Sequence, residues 1–291
     1  MEDKRFFSKI KYNISTLFRL FKTYAKLDLL WFLRDTKYCL LYIFSDCICS
    51  VANMFTLLLL ATQFEGFGGM THDEMLFMMS YSVIVDGVYM MFFMSNNIGE
   101  ISRIIGRGQL DHRVTQPVPL WIQLMTEGFL PFSGNITIIL GIGMMVYSID
   151  KLSLDVSLWW TIKLIFYILG STAIIMSMLY IVSSKAFYTP VESEESAGYV
   201  LEFTRVKVYP LGIYSKLWQT VFCTVLPVGL ATWLPSTLLL NIPNDVPFTQ
   251  YHGFFAAVLA ICMTLAAVLF RRGMKHYATN GSPRYSGFGH H

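Results

Sequence analysis

The sequence has no glycine-rich GxxxxGK[ST] loop, no HExxH helix and no GxSxG elbow. Without the first, the chain is not expected to cradle nucleotide phosphates; without the others, aqueous-phase catalysis has little to work with. Charge is also scarce. Asp, Glu, Lys and Arg make up 14% of the residues, where soluble domains carry roughly 25%. With 54% hydrophobic residues in 291, that deficit defines an integral membrane protein with a single membrane domain. The cysteines, Cys39, Cys47, Cys49, Cys223 and Cys262, lie inside or beside apolar runs, which argues against a disulfide framework. Cys47 and Cys49 lack the further ligands that a zinc motif needs. Of the six histidines, His290 and His291 are terminal, and His72, His112, His252 and His276 lie in or next to loops. No cofactor or metal bound by this chain, and no nucleic-acid partner, is expected.

What is present is a set of long apolar runs. Six segments, at about 38–62, 74–95, 122–147, 158–183, 218–240 and 253–270, are each near the roughly 20 residues that a bilayer core demands. The fifth is interrupted by Pro227 and Pro235. Residues 1–36 are different. Phe7, Ile10, Ile14, Leu17, Phe18 and Phe21 form a stripe at three- and four-residue steps, with Lys9, Lys11, Arg19, Lys22 and Lys26 between them. That pattern predicts an amphipathic helix in the cytoplasmic interface, held by anionic lipid and compatible with contact to a partner; so basic a start is not expected to be a cleavable signal peptide. The expected fold is all-α: an integral membrane domain over 37–275 with six transmembrane helices, the interfacial helix before it, and a re-entrant helical hairpin at 232–251 before the last span. Pro235, Pro243 and Pro247 suggest that hairpin, because irregular backbone at membrane depth must be covered or hydrated.

With both ends inside, twenty of the twenty-two Lys and Arg residues fall on one side, all but Lys151 and Lys163. The positive-inside rule then predicts a multi-pass protein of the cell membrane with both termini cytoplasmic. The second cytoplasmic loop is expected at 184–217, with a short helix, and residues 276–291 as a disordered tail.

The first cytoplasmic loop, 97–121, carries a short amphipathic pattern. Ile98, Ile101, Ile104 and Ile105 recur on one helical face, with Glu100, Arg103 and Arg107 on the other, and Gly106 and Gly108 end it. Pro117 and Pro119 are expected to stop any new helix before the membrane is re-entered. Such a helix either docks onto something or lies on the headgroups. Three acids fall within the runs: Asp46, Asp86 and Glu127. Acids there usually face the bundle interior or water. They would line a substrate path, pair helices at a subunit interface, or, hydrogen-bonded, simply position helices. Glu127 is expected to share a face with Pro131 and Asn135 at steps of four.

Local motifs then resemble a family. IIGRGQLDHRVTQPVPLWIQ is similar to a basic–Gly–x–Leu–Asp … Pro stretch of bacterial type-2 ABC exporter permeases, with Arg107, Gly108, Leu110, Asp111 and Pro117 as the matching positions. That branch usually has Arg-Pro where this chain has Gln116-Pro117. FTRVKVYPLGIYSKLWQTVFCTVLPVGLATWLPSTLLL resembles its Tyr-Pro … Ile-Tyr … Pro … Pro passage through Tyr209, Pro210, Ile213, Tyr214, Pro227 and Pro235. Glu65-Gly66 also fits. The resemblance implies a permease subunit paired with a second one, identical or paralogous, above separate ABC ATPase subunits that hold the ATP and Mg. It also implies that the first loop is a coupling helix, its isoleucines filling a groove of the ATPase while Arg103 and Arg107 pair with acids at the rim. The implied cargo is an amphipathic peptide, a drug-like molecule or a lipid. The alternative is a secondary transporter or a non-transporting scaffold, for which an internal repeat would be the usual sign; 38–147 and 158–270 show none.

Overall fold

The computed structural model describes residues 2–63, 68–94, 101–132, 136–243 and 247–281. It is 84% helix, with no strand among the described residues. Among the described residues, three helical stretches are long and apolar enough to cross a bilayer: His72–Phe93, Leu158–Phe187 and His252–Asn280.

Two helices open the chain, α1 (Glu2–Arg34) and α2 (Thr36–Gln63). They meet at Asp35, where backbone bonds from Asp35 N to Trp31 O and from Cys39 N to Asp35 O carry the ladder across a bend. The centre of the bundle is α3 (His72–Tyr89), buried along most of its length. Its start is fixed by a capping box: Glu74 N donates to Thr71 Oγ1, and Thr71 N donates to the Glu74 carboxylate at 2.7 Å. A π-helical turn, Met90–Met94, follows. Two short helices, α4 (Ile101–Gly106) and α5 (Gln109–Val114), precede α6 (Leu120–Thr126) and α7 (Ile136–Lys151). α7 packs antiparallel on α3 at close range because Gly87 and Gly141 lack side chains; a Cβ on Gly87 would lie 2.2 Å from Ile138. Behind α3 stand α8 (Leu158–Ser183) and α12 (His252–Asn280), with Phe255 laid over Gly170.

The continuous helix expected over 122–147 is broken. α6 ends at Thr126, ahead of Gly128 and of Pro131, which has no N–H for a helical ladder. The freed groups find other partners: Leu130 N donates to Met91 O at 3.0 Å, and Phe132 N donates to the buried carboxylate of Asp28 in α1 at 2.7 Å. The expected Glu127–Pro131–Asn135 face therefore does not form, and Asn135 lies outside the described residues.

A larger correction concerns 184–240. Residues 184–217 are not one loop. α9 (Pro190–Thr204) starts at the foot of α8, where Ser193 Oγ donates to the carbonyls of Val182 and Ser183. A 3₁₀ turn, Arg205–Val208, brings Lys207 onto Asp86 of α3. Past Pro210, Gly212 sits against the carbonyl of Gly68 at the opposite end of α3; a Cβ there would be 1.9 Å from that oxygen. The run 190–213 thus extends from the end of the bundle that holds α4 to the end that holds Gly68. Nor is 218–240 one long helix. α10 (Lys216–Thr224), a 3₁₀ turn at Pro227–Ala231 and α11 (Trp233–Leu240) form a hairpin whose tip reaches mid-bundle. There, Tyr81 O–H donates to Ser171 Oγ, which donates to the carbonyl of Leu230 at 3.0 Å. Trp160 Nε1 donates to the Leu239 carbonyl, so the second arm returns to the start of α8. The hairpin lies earlier than expected because Pro227 turns the chain between two short helices, while Pro235, inside the first turn of α11, is tolerated there.

α12 also outruns its expected end at 270. With no breaker before Gly281, at φ +80°, the helix carries Tyr277 back to the α4 end of the bundle. Five residues of the expected tail are therefore helical, and 282–291 lie outside the described residues.

Candidate functional site

The α4 end of the bundle gathers most of the residues singled out in the sequence. α4 begins at Ile101; Ile98 lies outside the described residues, as do Glu65 and Gly66. Gly106 ends it, Gly108 takes the left-handed conformation at φ +69°, and α5 starts at once. The expectation that Pro117 and Pro119 stop any new helix before the membrane is re-entered is thus corrected: the left-handed glycine redirects the chain, and Gln109–Val114, ahead of both prolines, has no breaker of its own.

Ile101, Ile104 and Ile105 are fully buried, but inside this chain. With Leu110 they pack on Leu124, Ala186, Phe187 and Tyr277. The expectation that they fill a groove in a partner is therefore corrected, since the chain itself covers that face. Arg103 does not reach outward either: its Nε donates to Glu194 of α9 at 2.5 Å. Two further ties hold the segment. Tyr277 O–H of α12 donates to Asp111 at 2.5 Å. The guanidinium of Arg113 grips the carboxylate of Glu127 at the end of α6 with two nitrogens, Nη2 at 2.8 Å from Oε1. Gln123 Nε2 donates to the carbonyls of Arg113 and Val118, closing the turn through the exposed Pro117. Burial draws the Arg113 pKa below its usual value.

Three helices, α6, α9 and α12, therefore hold α4 and α5. What remains exposed is a mixed patch centred on α5: Arg107, Gln109, Asp111, His112 and half-exposed Val114, continued by Thr115 and Gln116. Arg107 makes no ion pair among the described residues.

Of the three acids within the apolar runs, two have partners that sequence reasoning missed. Glu127 belongs to Arg113. Asp86 pairs with Lys207, and the available signal was a lysine set between Val206 and Val208 in an apolar stretch. Asp46 lies in α2, with its side chain outside the described set. Tyr209 is partly exposed, and Pro210 packs on Gly68. A cavity of about 340 Å³ opens sideways between α3, α8 and α12, lined by Phe92, Phe93, Leu169, Met176 and Met263 among others. The aliphatic hydroxyls that border it, on Thr172 and Ser177, donate to carbonyls of their own helix, and apart from Tyr180 the rest of the lining is apolar.

Helices long and apolar enough to cross a bilayer mark a membrane protein. Residues 47–281 match the family model described as ABC-2 family transporter protein, and the chain belongs to that family. It is a membrane permease of an ABC transporter, a type of subunit that associates with ABC ATPase subunits. No curated protein and no solved structure matches the chain.

Proposed function

We propose that the chain is the transmembrane half of an ATP-driven exporter, working with a second permease subunit and with separate ATPase subunits that hold the ATP and Mg. Six crossings are made by α2, α3, the broken α6–α7 pair, α8, the 190–213 run and α12. α1 lies in the membrane interface, and the hairpin of α10 and α11 re-enters from the far side. The α4 end faces the cytoplasm, with both termini there: it carries Arg103, Arg107, Arg113, Lys185, Arg271, Arg272 and Lys275, as the positive-inside rule requires. Lys207 and Arg205 move from the expected inner loop into the fifth crossing, and Lys216 moves to the far end; the asymmetry survives without them.

The single observation that carries the coupling role is the three-point attachment of α4 and α5. A segment tied to α6, α9 and α12 moves those helices when it is pushed. The ATPase meets the α5 patch, with Arg107 facing an acidic rim, while the isoleucines anchor the segment rather than touch the partner. The side cavity and the apolar lining suit an amphipathic peptide, a drug-like molecule or a lipid.

The test is affinity purification of the full chain from membranes in mild detergent. The expected result is an ABC ATPase in near-stoichiometric amount, lost in Val114→Asp and Arg107→Glu while the permease itself still inserts and melts normally. A chain that purifies without an ATPase, and whose transport follows an ion gradient, would establish the secondary-transporter reading instead.

A further inference from the structure

Lys207 is the most deeply buried cation among the described residues, and the coupling role does not use it. Its side chain is 6% exposed, while that of its partner Asp86 is 37% exposed. The carboxylate can therefore be reached from outside the chain, and the ammonium cannot. Lys207 sits on a 3₁₀ turn between the end of α9 at Thr204 and the break at Tyr209–Pro210, so it is free of the rigid ladder on either side. Two buried hydroxyls near this level, Ser82 Oγ and Thr232 Oγ1, have no hydrogen-bond partner among the described residues. Ser82 lies one helical turn from Asp86 on the same face of α3, toward the Gly68 end, and Thr232 follows the hairpin tip.

We propose that Asp86 and Lys207 form a latch between α3 and the fifth crossing, closed in this structure and released when that crossing slides along α3 during the transport cycle. Release moves the ammonium toward the idle hydroxyl of Ser82, which accepts a hydrogen bond in place of the carboxylate, while water takes over Asp86. The two packings are discrete because an ammonium left without any acceptor in the interior is costly. Lys207 is thus a positioning residue: it touches no cargo and sets which arrangement of the crossing is stable. The inference rests on the transporter reading above.

The experiment compares Lys207→Met, Asp86→Leu and the double variant D86L/K207M in the complex purified with its ATPase and placed in nanodiscs. Melting midpoint is followed on the permease, and ATP hydrolysis on the complex. Each single variant strands one charge and lowers the midpoint by several degrees. The double variant, with both charges gone, restores the midpoint because a buried pair replaced by apolar groups of similar size is near neutral. Its ATP turnover nevertheless falls about tenfold, the size of a modest coupling energy. In the second arm, Asp86→Cys/Lys207→Cys bridged by a short bifunctional thiol reagent melts normally but hydrolyses no ATP above background, whereas each treated single-cysteine variant turns over unchanged by the reagent. Unchanged melting in the single variants, or full turnover in the double or bridged variant, overturns the latch and leaves the transporter reading intact. Purification without any ATPase overturns both, and is recognisable before a variant is made.

Discussion

Replacing Ile105 with alanine separates two views of the first loop. If Ile105 packs inside its own chain, the isolated permease must feel its loss; if it faces a partner, only the complex does. Ile105 is fully buried against a small cluster that includes Leu110, Phe187 and Tyr277. The substitution removes three carbons, each contributing about 0.8 kcal/mol on burial, and leaves a cavity that raises the total to about 2–5 kcal/mol. The cluster is a satellite of the main core, so the cost falls on local opening of α4 rather than on the whole bundle. Hydrogen exchange followed by mass spectrometry on the isolated chain reads that opening directly. At 1.4 kcal/mol per factor of ten, amides of Ile101–Gly106 exchange at least about thirtyfold faster in the variant. Arg107→Ala, on the exposed face, leaves the same amides unchanged. The reasoning is refuted if Ile105→Ala protects α4 as well as the parent does, yet loses the ATPase on purification.

Two further outcomes follow from the packing. Arg113→Ala strips the partly buried carboxylate of Glu127 of its guanidinium and costs about 3 kcal/mol, read as a lower melting midpoint; adding Glu127→Gln recovers most of it, and a double variant no better than the single one would show that the pair does not matter. Gly87→Leu drives a side chain into Ile138 of α7 and prevents α3 and α7 from closing, which size-exclusion chromatography reports as an aggregated or absent monodisperse peak.

Much of the scaffold was legible because lipid imposes a length and a hydropathy on any helix that crosses it. α3 and α8 meet that demand near their expected bounds, and α12 meets it while running on past its expected end to Asn280. The run 190–213 did not, because it is built from α9, a 3₁₀ turn and a proline break, and carries Arg205 and Lys207. A hydropathy reading assigns such a stretch to water; only the carboxylate of Asp86, 121 residues away in sequence, shows where the lysine is spent. The true hairpin, apolar and near the right length, took the vacant place of a span. The first loop was legible as a helix from its isoleucine spacing and glycines, but spacing states which side is apolar and not what covers it. That answer lay in Phe187 and Tyr277, distant in the chain and unremarkable in sequence.

The carboxylate of Asp28 has a bearing on where the amino terminus can be cut. It receives the amide of Phe132 inside the gap between α6 and α7, so the first helix serves as a splint for a fracture elsewhere. A shortened chain that begins at α2 would still possess every apolar run needed to enter the bilayer, yet would expose an amide with no acceptor where water is scarce. The leading helix is in that sense an internal component of the domain that happens to be placed first, and its removal wounds the centre of the chain rather than its edge.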